Sequence, residues 1–347
     1  MNKKIKAGII GATGLAGEGV LDILIHHPNV EISVLTSDSS TGKDISSVIP
    51  KYKNVINHKL SDTNIAELSG CDIVFMTKKD PESMKLVKPL LDGKCRIIDL
   101  GGEFRLADYR TYEEWYKHEH LAKDLLSEAV YGLPEHYREK IKVARLIANP
   151  GCYPTGNILA ISPLVKSGLI NNQTISIVAY SGISGAGRTY SAASANLFVS
   201  CNENIRAYGI GDHKHTPEIE QGISNYAGKP TTVMFIPHLA PMDRGIFSTI
   251  TALPNHNIES NELITVLKDA YKGSEFVRVF DTPNEVQISN VKYTNFCDIS
   301  AKFDKRSNRI LVFSAIDNLT KGAASQSIQN MNLMFGFDEG LGIRGKI

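Results

Sequence analysis

The apolar run Lys4-Ile5-Lys6-Ala7-Gly8-Ile9-Ile10 leads directly into Gly11-Ala12-Thr13-Gly14-Leu15-Ala16-Gly17, and residues 18–25 follow with apolar positions at helical spacing. Strand, glycine turn and helix in this order constrain the fold more than any other stretch. The G-x-x-G-x-x-G spacing lets the backbone approach a pyrophosphate, and the helix N-terminus directs free N–H groups at it. Gly11, Thr13, Gly14, Leu15, Ala16 and Gly17 are therefore candidate dinucleotide contacts. A second strand over 30–36 ends about 20 residues after the turn, as a dinucleotide fingerprint requires. Beyond it lies Ser37-Asp38-Ser39-Ser40-Thr41-Gly42-Lys43. Ser37, Ser39 and Lys43 suit the 2′-phosphate of NADP, whereas Asp38 suits the free 2′-hydroxyl of NAD. Strands over 72–76 and 96–100 enclose a helix over 81–91. This alternation predicts a Rossmann-type, doubly wound parallel sheet.

A chain of 347 residues exceeds one typical domain. With 42% hydrophobic and 22% charged residues it has the composition of a soluble globular protein. A formal net charge of +1 offers no electrostatic reason to bind nucleic acid or an anionic membrane. No apolar run approaches the ~18 residues of a membrane span. Five cysteines without close spacings fit a reducing compartment, so a cytoplasmic location is expected.

The stretch Asn149-Pro150-Gly151-Cys152-Tyr153-Pro154-Thr155-Gly156 places one thiol between two turn-forming dipeptides. Pro-Gly makes a tight turn, and Pro154 suits the first turn of a helix, where a missing N–H is harmless. The apolar run over 157–165 reads as a buried helix. Cys152 thus sits at a helix N-terminus, where dipole and free N–H groups favour a thiolate. Cys71, Cys95, Cys201 and Cys297 read as structural.

After Cys152 the pattern turns strand-rich, with runs over 174–180, 232–238, 245–252 and 310–316. These predict an α+β catalytic domain with a mixed or antiparallel sheet. Ser181-Gly182-Ile183-Ser184-Gly185-Ala186-Gly187-Arg188 suits an anion cradled by backbone N–H groups, or a flexible turn. In His213-Lys214-His215-Thr216-Pro217-Glu218, Thr216 reads as an N-cap and Pro217 as the first helical residue. Histidines titrate near neutrality, so His213 and His215 are candidate acid/base partners for the cysteine. No carboxylate or cysteine pattern completes a metal site around them. Arg105, Arg188 and Arg244 lie in loops and offer guanidinium forks for a carboxylate or phosphate.

Taken together, GATGLAG, EFRL (103–106), YGLPE (131–135), ANPGCYPTG, SGISGAGR, HKHTPEIEQ, PHLAPMDRG and DNLTKGAASQSIQNMN span nearly the whole chain. In this order they resemble the N-acetyl-gamma-glutamyl-phosphate reductase family, whose relatives include the aspartate-semialdehyde dehydrogenases. The resemblance implies NADPH-dependent reduction of an acyl phosphate to an aldehyde through a Cys152 thioester. It places the acid/base in the H-x-H segment, at His215 or His213. It also implies cofactor contacts at Ser184, Gly185 and Asn318, and substrate contacts at Ser181 and the three arginines. A homodimer or homotetramer and a small-molecule acyl phosphate substrate are implied likewise. The expected division is 1–150 plus 318–347 for the dinucleotide-binding domain, with 151–317 for catalysis and oligomerisation. Two departures stand out. Asp38 replaces the family's usual arginine, which keeps NAD open beside NADP. Lys79-Asp80-Pro81 stands where Pro-His-Gly is common. The competing functions are another acyl-phosphate reductase, acting on aspartyl phosphate or an aminoadipate-type substrate, and a non-catalytic redox sensor.

Overall fold

The computed structural model describes residues 4–78, 81–187 and 199–345. Lys79, Asp80 and Arg188 lie outside the described residues. The chain forms two units, residues 1–150 with 323–345, and residues 151–322.

The first unit is built on six parallel strands: β1 (Ile5–Ile10), β2 (Val30–Thr36), β3 (Ile73–Met76), β4 (Arg96–Asp99), β5 (Ala129–Tyr131) and β6 (Leu146–Ala148). Their order is β2-β1-β3-β4-β6-β5, and each pairing is parallel. Strands β1 and β3 are apolar nearly throughout because helices cover both faces of such a sheet. Ile10, Val74, Met76, Ile97, Leu90 and Leu146 belong to one buried cluster on it. The strand order reverses direction at β1, and ligands of open α/β sheets bind at the carboxyl ends of strands at such a reversal.

Gly11 there takes a positive φ of 81°. A Cβ on Gly17 would lie 2.3 Å from the Gly11 carbonyl oxygen, so the Leu15–Leu24 helix packs directly on the turn's backbone.

The chain returns to the first unit through the Ala324–Met334 helix, every residue of which is buried. Its amides replace apolar contacts with hydrogen bonds. Gln326 Nε2 and Asn330 Nδ2 donate to the Gly132 carbonyl at 3.0 and 2.9 Å, and Asn330 also donates to Asn149 Oδ1 at 3.2 Å. This helix therefore has a partly polar interior, in which the Gln326 and Asn330 amide nitrogens are paired while their buried oxygens have no partner.

The second unit holds a mixed sheet ordered β11-β12-β13-β10-β7-β9-β8. Its strands are β7 (Ile175–Ser181), β8 (Arg206–Ala207), β9 (Val233–Leu239), β10 (Ile246–Ala252), β11 (Val277–Val279), β12 (Cys297–Asp304) and β13 (Arg309–Ile316). Burial alternates along β7 and β10, so one face is core and the other is less covered. The Cys152–Lys166 helix is buried from Tyr153 to Val165, which is why its sequence is largely apolar. Residues 318–322, expected with the first unit, cluster with the second. The reason is local: Asn318 Oδ1 accepts the Gly245 N–H at 2.7 Å, and its Nδ2 donates to Ser184 Oγ at 3.1 Å.

Gly17→Ala is expected to lower stability by about 1–3 kcal/mol, because backbone, not a yielding side chain, opposes the new methyl. Urea unfolding measures it. An unchanged midpoint would contradict this helix–turn packing.

Candidate active site

In the first unit, the carboxyl ends of β2, β1 and β3 converge. The Ala12 N–H donates to the Thr36 carbonyl at 2.9 Å, and Thr13 Oγ1 lies 2.9 Å from Ser37 Oγ. Gly14 is the N-cap of the first helix and offers no side chain, so Thr13, Gly14 and Leu15 present backbone at its N-terminus. A positive-φ Gly11 and a helix pressed onto the turn at Gly17 fit a pyrophosphate. Ser37 is buried, while Ser39 and Lys43 are exposed beyond the strand end. Asp38 is ion-paired with Lys78, Nζ to Oδ2 at 2.8 Å.

Arg105 is also in this unit, buried, with Nε donating to the Asn149 carbonyl at 2.8 Å and Nη2 to that of Leu100 at 3.0 Å. Asn149 in turn donates its backbone N–H to the Asp99 carbonyl at 2.8 Å and Nδ2 to that of Ala323 at 3.2 Å. Arg105 thereby braces the segment that leads to the cysteine. A loop arginine alone did not reveal this.

In the second unit, Cys152 is the first residue of its 15-residue helix, with Gly151 as N-cap. Among the five cysteines, all free, it alone is not buried. Burial pushes the Cys71 thiol up to about 12 and also raises Cys95. The loop carrying Asn318 runs against the thiol's base: a Cβ on Gly322 would lie 2.8 Å from Cys152 Cβ.

The H-x-H segment departs from expectation. The helix starts at His215, not after Thr216, and spans His215–Ala227. His213 Nδ1 accepts the His215 N–H at 3.1 Å, doing with an imidazole what an N-cap oxygen usually does. Burial, then the nearby Lys214, holds the His213 ring neutral by lowering its pKa to about 4. Its ring meets His215, Tyr153, Tyr208 and Phe235 edge-on, with centroids 4.9–5.7 Å away. Tyr153, the residue after the thiol, also packs edge-on to His215 at 5.9 Å and shares a 2.9 Å hydroxyl contact with Tyr208. Glu218, one turn into the same helix and buried, accepts the Gly151 N–H on Oε1 at 2.8 Å. The sequence alone assigned Glu218 no role in the site. The structure brings Cys152, His213, His215 and Glu218 into one cluster.

The Ser181–Gly187 loop does not form the backbone cradle that its glycines suggest. The Gly182, Ile183 and Ser184 N–H groups donate to the carbonyls of Gly245, Met242 and Asp243, while those of Gly185 and Gly187 close turns within the loop. Ser181 is buried, with its hydroxyl on the Gly182 carbonyl. Arg244, on the facing loop, lies 3.1 Å through Nε from Asp317 Oδ2, donates Nη2 to Oδ1 at 3.2 Å, and stacks over Tyr293. Among the described residues, no group of three His, Cys, Asp or Glu gathers as a metal site. No described helix is long and apolar enough to cross a membrane.

Residues 6–144 match the family model described as semialdehyde dehydrogenase, NAD binding domain, and residues 152–318 match semialdehyde dehydrogenase, dimerisation domain. The chain is 44% identical over 336 residues to an N-acetyl-gamma-glutamyl-phosphate reductase of Desulforamulus reducens, covering 96% of each. It is 45% identical over 343 residues to the like-named protein of Geotalea daltonii, covering 98% of each. In fold it resembles aspartate semialdehyde dehydrogenase II from Vibrio cholerae, with TM-score 0.73 and 18% identity over 96% of this chain and 99% of that one. The Candida albicans aspartate semialdehyde dehydrogenase solved with NADP gives TM-score 0.68 and 17% identity, over 96% of this chain and 99% of that one.

Two measurements follow from this geometry. Iodoacetamide at neutral pH is expected to modify Cys152 ahead of the four buried thiols; peptide mapping that finds Cys71 or Cys95 labelled first contradicts the assignment. The second concerns His213. An unfolded histidine takes up its proton near 6.5, the folded ring only at about 4. Between these values the unfolded state holds more protons, so His213 lowers stability as pH falls through the window, on the order of 2–3 kcal/mol. His213→Asn keeps an acceptor for the His215 N–H and is expected to flatten that fall in urea titrations. An identical pH dependence in the variant contradicts a buried neutral ring.

Proposed function

Because the chain belongs to the N-acetyl-gamma-glutamyl-phosphate reductases of the semialdehyde dehydrogenase family, we propose that it reduces N-acetyl-γ-glutamyl phosphate to N-acetylglutamate 5-semialdehyde, with release of phosphate, in arginine biosynthesis. The observation that carries this reading is the thiol: the one cysteine not buried, first in a helix, tied through Gly151 to the helix that bears His215.

The proposed chemistry follows from the groups present. Cys152 attacks as a thiolate, favoured by the helix N-terminus. Its sulfur bonds to the acyl carbon, the bond from that carbon to the phosphate oxygen breaks, and phosphate leaves with the electron pair. The thioester carbon is then an electrophile that no longer competes with hydrolysis of the acyl phosphate. A reduced nicotinamide dinucleotide, when bound, supplies the hydride. The resulting tetrahedral oxyanion takes a proton from His215 to give the thiohemiacetal; His215 takes that proton back as the C–S bond breaks, which returns the Cys152 thiolate and releases the aldehyde. His215 rather than His213 is proposed as the acid. A general acid must begin protonated, and His213 has a pKa lowered to about 4 with Nδ1 occupied by a backbone N–H.

Thr13, Gly14, Leu15, Ala16, Gly17 and Gly11 are proposed to hold the pyrophosphate, with Ser37, Ser39 and Lys43 on the ribose side. Ser184, Gly185 and Asn318 are proposed cofactor contacts through their side chains and loop surface, since the loop's N–H groups are largely taken. Arg244 is proposed as the anion-binding arginine, together with Arg188 and the hydroxyl of Ser181. An arginine has five N–H groups, more than Asp317 engages. Arg105, which braces the Asn149 turn through Nε and Nη2, is proposed as a further substrate contact by the same reasoning. NADP is the proposed physiological cofactor, with NAD accepted. A homo-oligomer is proposed on the dimerisation-domain match, and a reducing cytoplasm on five free cysteines.

Cys152→Ser is expected to keep the fold and dinucleotide affinity and to lose at least about 100-fold in kcat, since a hydroxyl is far less acidic than a thiol. Retention of more than about a hundredth of the wild-type rate would refute covalent catalysis at this residue.

A further inference from the structure

Asp38 stands where a dinucleotide's ribose is read, yet a carboxylate there repels a 2′-phosphate. The structure supplies its counterion. Strands β2, β1 and β3 are adjacent, so the residues just past their carboxyl ends share one edge of the sheet. Asp38 lies two residues past Thr36 and Lys78 two past Met76, on either side of the Gly11 turn. The Lys78 stem packs on that turn, since a Cβ at Gly11 would be 3.7 Å from Lys78 Cβ. Its ammonium reaches to 2.8 Å from Asp38 Oδ2. With a pyrophosphate on the glycine turn, the general geometry of such folds would bring the ribose 2′-position to the end of β2, beside this pair.

We propose that Lys78 and Asp38 together read the 2′-position: Lys78 turns from Asp38 to a 2′-phosphate, and Asp38 accepts from a free 2′-hydroxyl. The inference rests on the dinucleotide reading above and adds the basis of its cofactor choice. Both side chains are half exposed, 41% for Lys78 and 56% for Asp38. A solvated ion pair exchanges partners at little cost, so the lysine is available to the phosphate while the carboxylate limits discrimination. The cation comes from β3 instead of following β2, a position that no arginine-after-β2 pattern would reveal. In the sequence it comes just before Lys79-Asp80-Pro81, the segment that departs from the Pro-His-Gly common in the family.

The test is equilibrium binding by calorimetry of NADP+ and NAD+ to the full-length protein, independent of turnover. Lys78→Met is expected to weaken NADP+ roughly 10- to 100-fold, the worth of one charge-assisted hydrogen bond, and to leave NAD+ within about 3-fold. Lys78→Arg is expected to restore NADP+ affinity, and Asp38→Asn to tighten NADP+ while weakening NAD+. In the wild type, added salt is expected to weaken NADP+ more than NAD+. Equal changes for both cofactors, or none, in Lys78→Met overturn the assignment and leave the dinucleotide reading intact. Wild-type protein that binds neither cofactor overturns both.

Discussion

The second unit depends on one buried hydrogen bond, from the Gly151 N–H to Glu218 Oε1 at 2.8 Å. Gly151 is the N-cap of the helix that begins with Cys152, and Glu218 sits in the first turn of the helix that begins with His215. The bond therefore joins two helix starts and sets the spacing between a thiol and an imidazole. A carboxylate is stabilising at a helix N-terminus, and an N–H that would otherwise be unpaired finds an acceptor. The aromatic cluster of Tyr153, His213, Tyr208 and Phe235 packs around the same junction and lowers the pKa of His213 by burying it. Removing Glu218 would leave the thiol's turn without its anchor, which is how a residue given no part in the reaction governs the site.

Much of this was legible in the sequence. β2 falls where the apolar run over 30–36 placed it, and the glycine turn identifies the first unit because few other reasons exist to string glycines between a strand and a helix. Cys152 at a helix start followed from Pro-Gly before it and an apolar run after it. Three features were not legible. The short strands β5 and β6 carry only three residues each, too few for a period. His213 acting as a cap hid the helix start, since an imidazole is not read as a capping group. The polar interior of the Ala324–Met334 helix depends on acceptors at Gly132 and Asn149, far away in the chain.

The arginines show why residue type in a loop underdetermines role. Arg105 and Arg244 each carried the same expectation, an anion held by a guanidinium fork. One is turned inward onto carbonyls that shape the Asn149 turn. The other is oriented by a buried aspartate, Asp317, which also accepts the N–H groups of Tyr293, Leu319 and Thr320. Asp317 thus orders the loop that carries Asn318 past Cys152 and fixes Arg244 in the same act. Asp38 follows the same logic, since the Lys78 ammonium beside it offsets its charge.

Central to the account is a covalent acyl-enzyme on Cys152, and the reverse reaction isolates it. Protein mixed rapidly with N-acetylglutamate 5-semialdehyde and oxidised NADP, with no phosphate present, is expected to form about one equivalent of NADPH per site and then stall, because the thioester awaits its nucleophile. Phosphate added afterwards is expected to start steady turnover. If no NADPH forms until phosphate is present, hydride transfer does not pass through a thioester, and the assignment of Cys152 as nucleophile is wrong.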